Sequence, residues 1–195
     1  MKPKFSVKKI TVTAMLATIS FILMLFEFAI PIFPSFLKLD LSDVPALFGS
    51  LAFGPWCGVF VGLIKNLIHL LRTSTAGIGE LANFIITASL VFTAGHIYRK
   101  SKTRGEALLA MFAGVLAMTF VGAFANYFIL FPIYTKFIPE ETIIALCAAI
   151  IPMVKTLPQV ILFTIVPFNL FKGIIIILVT QFLYGRLSKY IEYEE

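Results

Sequence analysis

Long apolar runs separated by short polar or proline-bearing joints set the pattern of this chain. The first run extends from about Ile10 to Ile30; the second, about Val44 to Phe53, stops at Gly54-Pro55. A third covers about Trp56 to Leu71 and a fourth about Gly79 to Tyr98. The fifth, about Glu106 to Phe131, ends before Pro132, and the sixth, about Phe168 to Leu187, starts just after Pro167, in the opening position that proline favours in a helix. The pattern predicts an all-α, polytopic membrane protein of six transmembrane helices. At about 1.5 Å per residue the second run falls well short of the roughly 30 Å hydrocarbon core, so it must tilt or borrow length from the preceding joint.

The joints differ in kind. Pro31 to Pro45 sets Lys38, Asp40 and Asp43 among three prolines between two apolar runs, and Lys38, Leu39, Asp40 and Leu41 alternate as a half-buried extended segment does. Such a segment leaves backbone donors and acceptors free for a ligand, so it reads as a binding loop or lid. Arg72 to Gly77 reads as a turn at the same end. From Pro139 to Pro167, prolines at 152, 158 and 167 cut the apolar runs short, which predicts short outer helices over the mouth of the bundle; the rival is a broken hairpin or re-entrant segment. No linker or internal repeat is visible, so residues 1–195 read as one integral-membrane domain.

Composition agrees: 59% of residues are hydrophobic, 13% are charged, and the mean hydropathy is +0.98. The first run is too long for a signal-peptide core and is followed by further spans, so it is expected to stay in the mature protein. The net charge of +6 does not point to nucleic acid, because the basic residues follow topology. Lys2, Lys4, Lys8 and Lys9 precede the first span; Arg99, Lys100, Lys102 and Arg104 cluster after the fourth; Arg186 and Lys189 close the sixth. With both termini in the cytoplasm, ten of the sixteen Lys and Arg lie inside, as the positive-inside rule requires. Asp40, Asp43, Glu80, Glu140 and Glu141 then lie outside. Cys57 and Cys147 fall at opposite ends of predicted spans, and no disulfide is expected.

Polar groups within a bilayer are functional candidates by default because burying them unpaired is costly. Depth counting brings Asn126, Lys172, Glu80 and Asn83 to the outer half, level with Lys38, Asp40 and Asp43, and beside Phe36, Phe84, Tyr127 and Phe168. An aromatic-walled pocket with a few polar anchors suits a flat heteroaromatic molecule. Each candidate has a bland competitor: snorkelling for Lys172, a helix N-terminal acid for Glu80, helix-to-helix hydrogen bonding for Asn126, and capping for Asp40 and Asp43. Lys65, Asn66 and His69 sit near mid-membrane at i, i+1 and i+4, with Glu27 as a possible partner; a buried structural pair competes there with a proton relay or catalytic base. No HExxH, GxSxG or GxxxxGK[ST] motif is present, so any energised transport needs a partner to hydrolyse nucleotide. Thr13 with Ala17, and Ala14 with Thr18, make a small-residue face on the first span, suited to internal packing or to a second membrane subunit.

The ordered set Ala14-Met-Leu-Ala-Thr18, Phe36-Leu-Lys-Leu-Asp-Leu-Ser-Asp-Val-Pro-Ala46, Phe53-Gly-Pro55, Lys65-Asn66, Gly79-Glu-Leu-Ala-Asn-Phe84, Asn126-Tyr127 and Pro167-Phe-Asn-Leu-Phe-Lys-Gly173 resembles the riboflavin-specific substrate-binding (S) components of energy-coupling factor (ECF) transporters. The resemblance covers nearly the whole chain. It implies the six-helix ECF S-component fold in the cell membrane and high-affinity riboflavin binding from outside. It also implies vitamin uptake with a transmembrane coupling subunit and two cytoplasmic ATPase subunits, which carry the catalysis. Riboflavin is then the transported ligand, and neither a cofactor nor a metal is implied. Carried over by motif, Asn126 and Lys172 would meet the polar edge of the isoalloxazine, Leu39 and Asp40 would add contacts from the loop, and Glu80 and Asn83 would lie near the ribityl chain. Ala14 and Thr18 would contact the coupling subunit; the family's motif usually has Ala where Thr18 stands. The alternatives are an S component for another vitamin, or an intramembrane enzyme using Glu27, Lys65 and His69.

Overall fold

The computed structural model describes residues 7–99 and 103–191, with side chains for all of these except Arg104 and residues 184–191. Of the basic residues that set the expected topology, Lys2, Lys4, Lys100 and Lys102 lie outside the described residues, as do the side chains of Arg104, Arg186 and Lys189. Helix α1 (Val7–Met24) is apolar on most of its surface and buries one strip, Ala17, Ser20 and Met24, at i, i+3 and i+7. The chain then forms a short antiparallel ladder between β1 (Phe28–Ala29) and β2 (Lys38–Leu39), with Phe28 opposite Leu39. The extended segment expected at Lys38 is therefore present. Its alternation stops at Asp40, which is buried although polar, for a reason given below.

Helix α2 (Asp43–Phe53) and helix α3 (Pro55–His69) meet at Gly54, whose φ of +102° is open to glycine and strained for other residues. Pro55 then opens α3. Gly58 lets the two close: a Cβ there would stand 2.6 Å from the carbonyl oxygen of Ala46. A 3-10 turn (Leu70–Arg72) and the turn 73–77 lead into α4 (Ile78–Tyr98), as expected for that joint. Helix α5 (Arg104–Ala125) starts at Thr103, whose hydroxyl accepts from the Glu106 amide at 3.3 Å. α5 packs along α4, and Gly114 brings their backbones together.

Two helix ends differ from the sequence expectation. The fifth helix does not stop before Pro132: a π turn (Asn126–Leu130) carries it into α6 (Phe131–Tyr134). Likewise the last helix does not begin after Pro167. It begins at α8 (Leu157–Val160), where Pro158 takes the opening position, and passes through a second π turn (Ile161–Ile165) into α9 (Val166–Ile191). The physical reason is shared. A proline inside an α-helix has no N–H to give and its ring strikes the carbonyl four residues earlier; widening the preceding turn, so that Phe131 N–H bonds to Asn126 O and Val166 N–H to Ile161 O, moves the backbone aside. Of the short helices expected between Pro139 and Pro167, only α7 (Glu140–Ala148) lies apart from the last helix.

Four helical stretches among the described residues are long and apolar enough to cross a membrane: Val7–Met24, Ile78–Tyr98, Gly105–Tyr134 and Leu157–Leu183. The 11-residue α2 and the 15-residue α3 are shorter. The main core lies where α2, α3, α4, α5 and α9 meet, around Leu47, Val61, Leu90, Met118 and Ile176, all fully buried. A smaller cluster of Phe131, Ile143, Cys147, Val160 and Ile165 seats α7 on the C-terminal part of the fifth helix and the N-terminal part of the last, with Leu37 of the loop packed against it. Leu109, Phe112, Leu116, Phe120 and Phe124 form an exposed apolar face along α5, which in a bilayer is a lipid-facing surface. Cys57 and Cys147 are both buried and free.

Candidate ligand-binding site

The loop ends in a run of acids and hydroxyls, Asp40-Leu-Ser-Asp43, whose last member opens α2. Because α2 starts inside the bundle rather than at its surface, Ser42 and Asp43 have no exposed area at all. Four elements meet them there. From α3, the Lys65 ammonium donates to Ser42 Oγ and Asp43 Oδ1, both at 2.5 Å; from α4, Thr87 Oγ1 donates to Asp43 Oδ1 at 2.5 Å. From α9, the Lys172 ammonium stands 2.9 Å from Asp43 Oδ2 and donates to Asp40 Oδ2 at 3.1 Å. From α1, Ser20 Oγ donates to the Ser42 carbonyl at 2.7 Å. The result is a buried cluster of two carboxylates and two ammonium groups, neutral overall, in which Asp43 Oδ2 has only the nearby Lys172 charge and every other carboxylate oxygen accepts a hydrogen bond; such charge balance is what lets these groups persist inside a protein.

Asp40 is the member that belongs to the loop. Its Oδ1 accepts from the Ser42 amide at 2.8 Å, which fixes the end of the loop in a tight turn. Burial by itself would raise the Asp40 carboxyl; the Lys172 ammonium, followed by Lys65, outweighs that and holds it below its ordinary value of 3.8. Asp40 is buried, and the alternation along the strand broken, because Lys172 claims it.

The other candidates fall into place around this cluster. Asn83 is half-buried on α4 one turn before Thr87, and its Oδ1 accepts from Thr87 Oγ1 at 3.1 Å, with Asn66 Nδ2 of α3 at 3.5 Å. Asn126 opens the π turn, is buried, and donates from Nδ2 to the Gly122 carbonyl at 2.8 Å. Leu39 is buried in β2. Glu80 is occupied by protein: Oε1 pairs with His69 Nδ1 at 2.9 Å, and Oε2 accepts from Thr73 at 2.9 Å and Thr75 at 3.3 Å. It holds the turn 73–77 against the outer end of α3. Asp40 and Lys172 are thus in direct contact, Asn83 joins them through Thr87 and Asp43, and Asn126 and Glu80 bond within neighbouring groups of their own.

Glu27, Lys65 and His69, grouped from sequence as a possible relay, have three different partners. Glu27 pairs with Lys38 across the loop's ladder, Lys65 with Asp43, and His69 with Glu80. Glu27 lies beyond the end of α1, so it meets the loop rather than Lys65.

Sequence reasoning passed over Asn169. It is 2% exposed, and its amide Nδ2 has no hydrogen-bond partner among the described residues. It lies one helical turn before Lys172 and beside Gly122, where a Cβ would stand 3.0 Å from that nitrogen. Gly122 is also the residue that Asn126 bonds. A buried amide donor left open between two other candidates can receive a ligand acceptor. The signal was present in Pro167-Phe-Asn-Leu-Phe-Lys172, where an amide and an ammonium three apart share one face of an apolar helix.

Beside the loop a cleft of about 360 Å3 opens between Ile30 to Ser35 and the end of α7 at Leu146, Ala149 and Ile150. None of the six candidate ligand residues lines it. Phe33 does, and the same ring packs edge-on against Phe168 at 5.2 Å and tilted against Phe171 at 5.9 Å, so one aromatic layer connects the cleft with the turn of α9 that carries Asn169 and Lys172.

The fold is a helical bundle with four stretches apolar enough to cross a membrane and a charge-neutral polar cluster beneath the loop that follows the first of them. The sequence profile described as ECF transporter, substrate-specific component, matches residues 8–184, and the chain belongs to that family. It is similar to the riboflavin transporter RibU of Staphylococcus aureus, 34% identical over 95% of this chain and 93% of that one. It is also similar to the riboflavin transporter FmnP of Bacillus subtilis, 34% identical over 95% of each chain. A solved structure of the S component of a bacterial ECF transporter matches with a TM-score of 0.75 and 33% identity, covering 94% of this chain and 97% of that one.

Proposed function

We propose that this chain binds riboflavin at the loop end of the bundle and serves vitamin uptake as the S component of an ECF-type transporter. The observation that carries the reading is the Lys172–Asp40 contact, which seats the loop on α9 one turn from the unpartnered Asn169 amide, in a chain whose relatives are named riboflavin transporters. The imide edge of a flavin offers carbonyl acceptors and an N–H donor within a flat apolar ring. Asn169 and Lys172 have donors for such an edge, Asn126 adds an amide from the π turn after α5, and Leu39 and Asp40 bring the loop down over it. Asn83 lies on the α4 side, toward the ribityl chain, and Glu80 shapes that wall by fixing the turn 73–77.

In this reading residues 1–195 form one multi-pass domain in the cell membrane, crossing six times with both termini in the cytoplasm, where α2 and α3 cross with help from the loop and from tilt. The chain is not itself an enzyme; a transmembrane coupling subunit and two cytoplasmic ATPases supply the energy. Ala14 and Thr18 are both exposed on α1, and the Thr18 hydroxyl donates to the Ala14 carbonyl at 3.0 Å, so Thr18 presents its methyl outward and keeps the small face that helix docking needs. Protein purified from riboflavin-containing medium should be yellow and release flavin on denaturation. Colourless protein that leaves the fluorescence of added riboflavin unquenched would overturn the reading.

A further inference from the structure

Lys65 stands apart from the groups assigned to the ligand. It lies on α3 one turn before its C-terminal end, is fully buried, and spends its ammonium on Ser42 and Asp43. Charge counting shows what it does there. Asp40 and Asp43 are two carboxylates a turn apart; Lys172 contacts both, at 3.1 and 2.9 Å, and Lys65 contacts only Asp43. The neighbouring charges cannot substitute, since His69 is bonded to Glu80 and Lys38 to Glu27. Without Lys65, one ammonium would serve two buried carboxylates. Asp43 is fixed in a helix and has no exposed area, whereas Asp40 sits in a loop, so the loop is the side that would give way.

We infer that Lys65 is a positioning residue for the binding site: by neutralising Asp43 from inside the bundle it leaves Lys172 shared with Asp40, and so keeps the loop Pro31–Ser42 seated over the outer part of α9. The inference rests on the reading that the ligand lies beneath that loop. It has a consequence that simple loss of packing does not. Deleting one partner of a buried ionic cluster is damaging because a charge is left over, while replacing both partners by neutral groups of similar shape is far less so. Lys65→Met should therefore be repaired by adding Asp43→Asn, which restores neutrality and leaves Lys172 wholly to Asp40.

The experiment uses the full chain in lipid nanodiscs with riboflavin as probe, its fluorescence giving association and dissociation rates. Lys65→Met should raise the dissociation rate by about tenfold or more and alter association by less than about threefold, Lys65→Arg should recover most of the loss, and Lys65→Met/Asp43→Asn should hold riboflavin longer than Lys65→Met alone. Unchanged dissociation in Lys65→Met, or a double variant no better than the single one, would overturn the inference. If Lys65→Met does not fold, Asp43→Asn is compared with the double variant; the double variant should again hold the ligand longer, and equal or faster release contradicts the idea. If the wild type itself binds no riboflavin, the ligand assignment fails instead, and the loop is read directly by tryptic cleavage after Lys38. Cleavage should be faster in Lys65→Met than in wild type and slow again in the double variant; equal rates in all three would overturn the positioning role.

Discussion

Lys172 and Asp40 are 132 residues apart in the sequence and 3.1 Å apart in the fold, joining the last long helix to the loop that follows the first. This contact turns a charged loop in an apolar chain into part of the bundle. The loop is seated besides by Leu37 on the smaller apolar cluster, Phe33 on Phe168, the Lys38–Glu27 pair, and Ser42 bonded to Ser20 and Lys65, so Asp40 makes its one contact with a charge on α9 among the described residues.

Asp40→Asn should loosen that contact while leaving Lys172 paired with Asp43. Riboflavin affinity should fall by about 1–3 kcal/mol, the cost of weakening a charged hydrogen bond at a buried site, and the loss should appear as faster release. Stopped-flow fluorescence separates the two rates.

Asn169→Ala should separate binding from stability. Because the Asn169 Nδ2 has no partner among the described residues, its loss should change the ligand-free melting temperature little, yet reduce affinity by about 1–3 kcal/mol if a ligand carbonyl is its partner. Asn126→Ala should reduce affinity over the same range. Thermal shift with and without riboflavin reads both quantities.

The pH dependence of loop closure follows from Asp40. Its folded-state value lies below the ordinary 3.8, so the stabilisation it contributes is complete above that value and is lost as pH falls through the lower, folded-state one. Riboflavin affinity should be flat from about pH 8 to about pH 5 as far as this group is concerned, and should fall only below about pH 4. Asp40→Asn should remove that acid limb.

Ala14→Leu should leave riboflavin binding by the isolated chain unchanged, since Ala14 is exposed on α1 and takes no part in the polar cluster, and should impair uptake and co-purification with the coupling subunit. Thr18→Ala should be tolerated in both assays, because the Thr18 hydroxyl is already bonded within its own helix.

Much of this was legible in the sequence, and the exceptions have physical causes. The loop, the turn at 72–77, the short second helix and the convergence of Asp40 with Lys172 follow from hydropathy, charge and depth. The sequence ends the fifth helix before Pro132 and opens the last one after Pro167, whereas a π turn upstream of each proline lets the helix run through it. Glu27 is from sequence a possible partner of Lys65; α1 ends at Met24, which sends Glu27 to Lys38 and leaves Lys65 to Asp43. Asn169 was missed because a buried amide shows its lack of a partner only once its neighbours are known.

Riboflavin held by Lys172 beneath the loop should be lost with that ammonium. Titrating riboflavin fluorescence with purified wild type and Lys172→Met should give saturable one-to-one quenching by the wild type and at least about tenfold weaker binding by the variant. No quenching by the folded wild type, or equal affinity in the folded variant, would overturn this placement of the ligand.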